Sequence, residues 1–113
     1  MFRIQRMCCR QIEQNSIEYS ELIEKIKNGA ILVDVRSPQE YREGHLDHAI
    51  SIPEYEIKRN ILNIIPNKQT EVVLYCSYGG RSKRAGDIMK RYGYANVYEL
   101  DGGLEKLQNY WFS

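Results

Sequence analysis

The sequence predicts an α/β fold with a central, mostly parallel five-stranded sheet and helices on both of its faces. Two observations predict it. Short runs of β-branched and aromatic residues recur along the chain, and each is too short for an isolated helix. Segments with apolar residues at helical spacing lie between these runs, and such an alternation of strand and helix is typical of a parallel sheet. We therefore expect a functional site where strands end and helices begin.

The N-terminal half supplies the first two strand and helix pairs. Residues 16–19 are predicted as a short strand, and Ser20 is expected to cap the helix that follows. The apolar run 30–35 is the second strand, buried on both faces. The motif Ser37-Pro38-Gln39-Glu40 is a capping box with proline at the first helical position. It predicts the start of a short second helix.

The C-terminal half continues the alternation. A weaker third strand at residues 49–52 precedes a helix over residues 54–64. The run at residues 72–75 is a strongly apolar strand, expected to be buried on both faces, and a helix begins near Arg81 and stops at Gly93. The last two predicted elements are a strand at residues 97–100, also expected to be buried on both faces, and a helix at residues 104–110. The predicted order thus contains five strands.

Length and composition restrict the class of protein. A chain of 113 residues forms one domain, and 42% hydrophobic with 27% charged residues is typical of a soluble globular protein. The formal charge of +1 gives no indication of a nucleic-acid or membrane partner. Residues 1–15 show no clear period and are predicted as an N-terminal extension to a domain at residues 16–113. They lack the apolar run of a secretory signal, so a cytoplasmic protein is expected.

The loop after the strand at residues 72–75 carries the predicted chemistry. Cys76 follows that strand directly, and the next residues are Ser77, Tyr78, Gly79, Gly80, Arg81 and Ser82. The two glycines let successive backbone amides turn toward a common centre, where the following helix N-terminus adds partial positive charge. A thiol at this centre has a pKa below its ordinary value of about 8.5 and is therefore a thiolate nucleophile.

Charge is distributed unevenly around this loop. Between residues 81 and 91, five basic residues stand against one aspartate, a net charge of +4, so the rest of the chain carries -3. Lys90 and Arg91 lie far from the loop and are interpreted as the solvated face of a helix. Arg81 is the candidate binding residue. We expect a small anionic partner to approach this end of the helix.

Four segments in fixed order resemble a known family. They are residues 32–36, residues 40–53, the loop at residues 76–82, and Leu100-Asp101-Gly102-Gly103. From about residue 17 to residue 110 the chain is similar to single-domain rhodaneses, which are sulfurtransferases. The resemblance implies a rhodanese-like fold in which Cys76 takes a sulfane sulfur from a thiosulfate-type or persulfide-type donor and passes it to a thiol or cyanide acceptor. It also implies that Arg81 orients the anionic donor, and no cofactor is expected.

Two other functions stay open. The cell-cycle phosphatases and arsenate reductases of this fold have a loop one residue longer than the six residues from Cys76 to Arg81. Nothing in the sequence resembles the general acid that a phosphate ester requires, so this function ranks lower. The other alternative is a sulfur-relay or sensing module whose partner is a protein sulfur acceptor, with little turnover of small molecules.

Polar and aromatic residues outside the loop receive mainly structural interpretations. Asp34 and Arg36 lie at the end of a buried strand, where charge is costly unless it is paired. A supporting ion pair is predicted, although the strand end also allows Arg36 to reach the pocket. Tyr78 at the loop tip is expected to shape the pocket mouth, and Trp111 is interpreted as a packing anchor.

The histidines and the remaining cysteines suggest a metal site that we reject. His45 and His48 are three residues apart, but Cys8 and Cys9 are adjacent and lack the spacing of a zinc ligand pair. The family resemblance gives His45 a structural role in a turn, and no metal is expected. Cys8 and Cys9 are either resolving thiols for Cys76 or incidental cysteines of the N-terminal segment.

Overall fold

The computed structural model describes the backbone of residues 15–111 and the side chains of residues 15–107. The strands are β1 (Ser16–Ile17), β2 (Ile31–Asp34), β3 (Ile50–Ser51), β4 (Glu71–Tyr75) and β5 (Asn96–Leu100). The helices are α1 (Tyr19–Lys27), α2 (Pro38–Glu43), α3 (Glu54–Ile64), α4 (Gly80–Arg91) and α5 (Gly103–Trp111). The sheet order is β1-β5-β4-β2-β3, and every neighbouring pair is parallel. The predicted α/β class and its five-stranded sheet are confirmed.

Two apolar clusters bury opposite faces of this sheet. One packs α3 and α4 against Val33, Val72 and Leu74, and the other packs α1 and α5 against Leu32 and Val73. Since neighbouring residues of a strand point to opposite faces, a strand between two helical layers must be apolar at every position. The continuous apolar runs of β2 and β4 therefore follow from their central places in the sheet.

β5 departs from the prediction that it is buried on both faces. Tyr98 in its middle is only half-buried, and the ammonium of Lys25 lies 3.9 Å from the centre of its ring. The neighbour of β5 on this side is β1, which pairs with it at only two positions, Ser16 with Glu99 and Ile17 with Leu100. β5 thus lies next to the short edge strand, and its face that carries Tyr98 is incompletely covered.

Local capping chemistry sets the helix ends. In the predicted capping box, the Glu40 amide donates to Ser37 Oγ at 3.2 Å, and the Ser37 amide donates to Glu40 Oε1 at 3.0 Å. The prediction that Ser20 caps the first helix is wrong, because α1 begins at Tyr19 and Ser20 lies inside its first turn. The Glu18 amide donates to the Glu21 carboxylate at 3.3 Å, so a glutamate pair supplies the reciprocal bond at this end.

The carboxyl ends of β2 and β4 meet at one edge of the sheet. Asp34 pairs in register with Tyr75, and the Val35 amide donates to the Tyr75 carbonyl at 3.0 Å. The residues that follow these two strands are therefore brought together. The predicted extension at residues 1–15, with Cys8 and Cys9, lies outside the described residues except for Asn15, and the Trp111 side chain lies outside the described side chains. Between residues 15 and 111, no helix is long and apolar enough to span a membrane.

Candidate active site

The loop between β4 and α4 surrounds the Cys76 sulfur with hydrogen-bond donors. The Gly79 amide donates to Cys76 Sγ at 3.0 Å and the Ser82 amide donates at 3.4 Å, while the Cys76 thiol donates to Ser82 Oγ at 3.6 Å and the Ser82 hydroxyl donates to the Gly79 carbonyl at 3.1 Å. Gly79 has a φ of +115°, a left-handed conformation that favours glycine. This conformation points the Gly79 amide toward the Cys76 sulfur. It is the physical reason why the loop needs a glycine at this position.

The same donors control the protonation of the thiol. Burial acts to raise the pKa of Cys76, which is only 1% exposed. The hydroxyl and amide of Ser82 and the amides of Gly79 and Tyr78 favour the thiolate more strongly, so the pKa of Cys76 lies below its ordinary value. The thiolate consequently persists at a pH where an ordinary cysteine is protonated, which is the direction expected from the sequence.

Removing the Ser82 hydroxyl tests this account of the thiolate. Because a hydrogen bond to a charged group contributes about 1.5–3 kcal/mol, Ser82→Ala should move the midpoint of the pH profile for iodoacetamide alkylation of Cys76 to higher pH by about one pH unit or more. Mass spectrometry of the Cys76 peptide separates this reaction from that of Cys8 and Cys9. Ser77→Ala is the matched control, since its hydroxyl contacts Arg81 and not the sulfur. An equal shift in both variants would contradict this role for Ser82.

Backbone amides at the N-terminus of α5 hydrogen-bond to carbonyl groups of the loop. The Leu104 amide donates to the Cys76 carbonyl at 2.9 Å, and the Glu105 amide donates to the Ser77 carbonyl at 2.8 Å. Gly103 makes this approach possible, because a Cβ on it would lie 2.5 Å from the Cys76 carbonyl oxygen. Sequence reasoning used Gly103 only as part of a family motif and missed this supporting role. The signal in the sequence was the glycine pair one residue after the end of a predicted strand.

Arg81 is held by an acidic partner that sequence reasoning did not identify. Its guanidinium donates to both Glu40 carboxylate oxygens, at 2.7 and 3.2 Å, and lies 3.4 Å from Ser77 Oγ. The hydrogen bond from Arg81 is the largest influence that lowers the pKa of Glu40 to about 2, so this carboxylate is charged at neutral pH. The detectable signal was the capping position of Glu40, which fixes it at the start of α2. Arg81 thus lies at the predicted place but is ion-paired.

Asp34 and Arg36 form the supporting ion pair predicted from the sequence. Asp34 is fully buried and accepts the Arg36 amide at 2.9 Å, Arg36 Nε at 3.0 Å and Arg36 Nη2 at 2.7 Å. Arg36 also donates to the Gly44 carbonyl at 2.5 Å. Burial acts to lower the pKa of Arg36, but the bonds to Asp34 outweigh it and raise the pKa. These contacts tie the end of β2 to the turn after α2.

Other predicted residues lie around this edge. Tyr78 is 74% exposed at the loop tip, and Tyr78 and Gly80 line an adjacent cavity. The His45 ring stacks on the Tyr41 ring at 3.7 Å, and its Nδ1 lies 2.8 Å from the Tyr41 carbonyl oxygen, a structural role in the turn. In the part of the chain that the structure describes, no three His, Cys, Asp or Glu side chains are grouped to hold a metal ion.

These observations define a class of protein, a parallel α/β domain in which a buried cysteine follows the central strand and lies in an amide-lined loop at a helix N-terminus. Comparison with known families gives the particular one. The family model described as Rhodanese-like domain matches residues 18–110. The chain belongs to the rhodanese-like family, and the family predicted from the sequence is confirmed.

Relatives in this family have different functions. The thiosulfate sulfurtransferase PspE of Escherichia coli is 39% identical over 75 residues, covering 66% of this chain and 71% of PspE. A tRNA uridine(34) hydroxylase of Buchnera aphidicola is 33% identical over 68% of this chain, which spans only 26% of that protein. The human single-domain sulfurtransferase TSTD1 is a solved structure with a TM-score of 0.72 and 25% identity, covering 83% of this chain and 96% of TSTD1.

Proposed function

We propose that this protein is a sulfurtransferase that moves a sulfane sulfur from a thiosulfate-type or persulfide-type donor to a thiol or cyanide acceptor through a persulfide of Cys76. The observation that carries the proposal is the set of Gly79 and Ser82 donors on Cys76 Sγ. A thiolate and a terminal persulfide sulfur are both anions, so one set of donors stabilises both. The proposal includes a cytoplasmic location, where thiols stay reduced.

The proposed reaction has two nucleophilic steps. The Cys76 thiolate attacks the sulfane sulfur of thiosulfate, the sulfur–sulfur bond of the donor breaks, and sulfite leaves with the bonding electrons. The acceptor thiolate or cyanide then attacks the terminal sulfur of the Cys76 persulfide. The bond between that sulfur and Cys76 Sγ breaks, and its electrons regenerate the thiolate. The reaction needs no oxidant, because sulfane sulfur is transferred at each step.

Intact mass measurement tests the first step. After incubation with thiosulfate and removal of excess donor, the wild-type protein should gain the mass of one sulfur atom and lose it again when cyanide is added. Cys76→Ser should show no such adduct, whereas Cys8→Ser/Cys9→Ser should retain it. The proposal is wrong if the wild-type protein forms no adduct with thiosulfate or with a small-molecule persulfide, or if Cys76→Ser forms the same adduct.

Arg81 and its partner Glu40 should affect the use of an anionic donor in opposite directions. We propose that Arg81 orients the donor, so Arg81→Ala should raise the KM for thiosulfate by about tenfold, the effect of losing one charged hydrogen bond. Glu40 competes for the same guanidinium, and Glu40→Gln should lower that KM. Steady-state kinetics with cyanide as acceptor measures both values. An unchanged KM in Arg81→Ala would leave Arg81 with only its structural bond to Glu40.

The second candidate is a sulfur-relay module that delivers the Cys76 sulfur to a partner protein. It is supported by Tyr78, which is 74% exposed at the tip of the loop that holds Cys76. An exposed aromatic side chain beside a reactive group is suited to a protein contact. If this candidate is correct, the persulfide forms in the mass experiment but transfers only slowly to cyanide and small thiols, and Tyr78→Ala leaves that slow rate unchanged.

A further inference from the structure

A cavity of about 450 Å³ lies beside the candidate loop, between the start of α4 and the carboxyl end of β5. Two of its lining residues are Gly79 and Ser82, whose amides donate to Cys76 Sγ. The lining also includes Glu99 and Lys83. The cavity therefore shares a wall with the surroundings of the sulfur, although the proposed reaction gives Glu99 no role.

Glu99 is a buried acid without a hydrogen-bonding partner in the described part of the chain. It is 8% exposed, and among residues 15–107 no donor and no cation lies within hydrogen-bond or ion-pair distance of its carboxylate, whose oxygens keep their accessible surface toward the cavity. By contrast, the buried Asp34 accepts several hydrogen bonds from Arg36. Burial is the main influence that raises the pKa of Glu99, with the more distant charges of Lys90 and Lys83 opposing it.

The fold leaves room for this carboxylate. Glu99 lies on the face of β5 that α4 covers, and the residue of α4 against it is Gly86. A Cβ at Gly86 would be 2.6 Å from Glu99 Oε2, so any larger residue would displace the carboxylate. No donor of the described protein reaches this carboxylate, so it depends on solvent in the cavity for its hydrogen bonds. A small group that carries N–H donors, positive charge or both would replace that solvent.

We propose that the cavity binds the ammonium group of an amino-bearing thiol, with Glu99 as its binding residue, and that this thiol accepts the sulfur from Cys76. The inference rests on the proposed sulfur transfer. In the step concerned, the bound thiolate attacks the terminal sulfur of the Cys76 persulfide, the bond to Cys76 Sγ breaks with its electrons remaining on Cys76, and the thiol leaves as a persulfide. Glu99 supplies the charge that selects an amino-bearing acceptor over a neutral one.

A pair of thiols that differ at one group tests the selection. Cysteamine carries an ammonium where 2-mercaptoethanol carries a hydroxyl. After loading with thiosulfate, the wild-type protein should transfer sulfur to cysteamine with a kcat/KM about tenfold above that for 2-mercaptoethanol, both expressed per thiolate, which corresponds to about 1.4 kcal/mol. Glu99→Gln keeps the shape and should reduce this ratio to about one. The ratio within each variant cancels any general loss of activity.

Asp101→Asn is the matched control. Asp101 also lines the cavity, but its carboxylate is already bound by Lys106 at 2.7 Å. Its removal changes the formal charge by the same amount as Glu99→Gln and should leave the ratio at least about fivefold. A ratio that stays unchanged in Glu99→Gln, or that falls equally in Asp101→Asn, overturns the assignment of the selection to Glu99.

A binding measurement separates this inference from the proposed function. Cysteamine titrated into Cys76→Ser should shift the NMR amide signals of Ser82 and Gly102, which line the cavity. The shifts should disappear in Cys76→Ser/Glu99→Gln. Shifts without any persulfide in the wild-type protein would support the site and contradict the sulfur transfer. Persulfide formation without shifts and without a thiol preference would support the transfer and overturn the site.

Discussion

Gly103→Ala should destabilise the protein by about 2–4 kcal/mol and reduce the reactivity of Cys76. Gly103 has a φ of +64°, and a Cβ there would lie 2.5 Å from the Cys76 carbonyl oxygen and 2.6 Å from that of Ser77. Both neighbours are backbone atoms that accept hydrogen bonds from α5, so they cannot move without breaking those bonds. The loop must shift, and its donors then lose their alignment on the sulfur.

Gly102→Ala is the control that isolates the backbone collision. Gly102 has a similar φ of +73°, but its Cβ would meet no backbone atom of the loop, only the Lys106 side chain, at 2.8 Å from Cδ and 3.0 Å from Cβ. Both variants carry the same left-handed strain of about 1–2 kcal/mol, whereas the flexible lysine can move aside. Urea unfolding should therefore show the larger loss for Gly103→Ala, and only this variant should slow alkylation of Cys76 at pH 7. Equal losses would show that strain alone explains both variants.

Much of the fold could be predicted from the sequence because its signals are local. The apolar runs of β2 and β4 indicate burial on both faces, and the box from Ser37 to Glu40 marks the start of α2 within four adjacent residues. The chemistry around Cys76 is also local, since the strand, the glycines and the helix N-terminus are consecutive. The exception was α1, where a glutamate pair acts as the cap and the better capping residue, Ser20, lies inside the helix.

The parts of the site that could not be predicted depend on contacts between distant segments. Arg81 and Glu40 are 41 residues apart, and only the packing of α2 beside the loop brings them together. Gly103 lies close to the Cys76 carbonyl because the first turn of α5 hydrogen-bonds to the loop. Glu99 lies against Gly86 of α4 because the register of β5 turns it to that face of the sheet. A sequence pattern shows which residues are available, but the sheet order and register determine which of them meet.

Asp34→Ala should destabilise the protein by about 3–5 kcal/mol, the usual loss when one partner of a buried ion pair is removed. Arg36 would then keep its charge at 8% exposure with only the Gly44 carbonyl as an acceptor. Typical domains have a free energy of unfolding of about 5–15 kcal/mol, so this variant should unfold at much lower urea concentration. Far-UV circular dichroism during a urea titration measures the loss.

Two further variants test whether the loss at Asp34 arises from burial of an unpaired charge and not from ion pairing in general. Glu71 forms a partly exposed pair with Lys25 at 3.5 Å, and Glu71→Gln should change the free energy of unfolding by no more than about 1 kcal/mol. Asp34→Leu/Arg36→Met removes both buried charges together and should lose less than Asp34→Ala, because no uncompensated guanidinium remains. If the double variant loses as much as or more than Asp34→Ala, the pair itself stabilises the end of β2. The structural role would then lie in the four hydrogen bonds between Asp34 and Arg36.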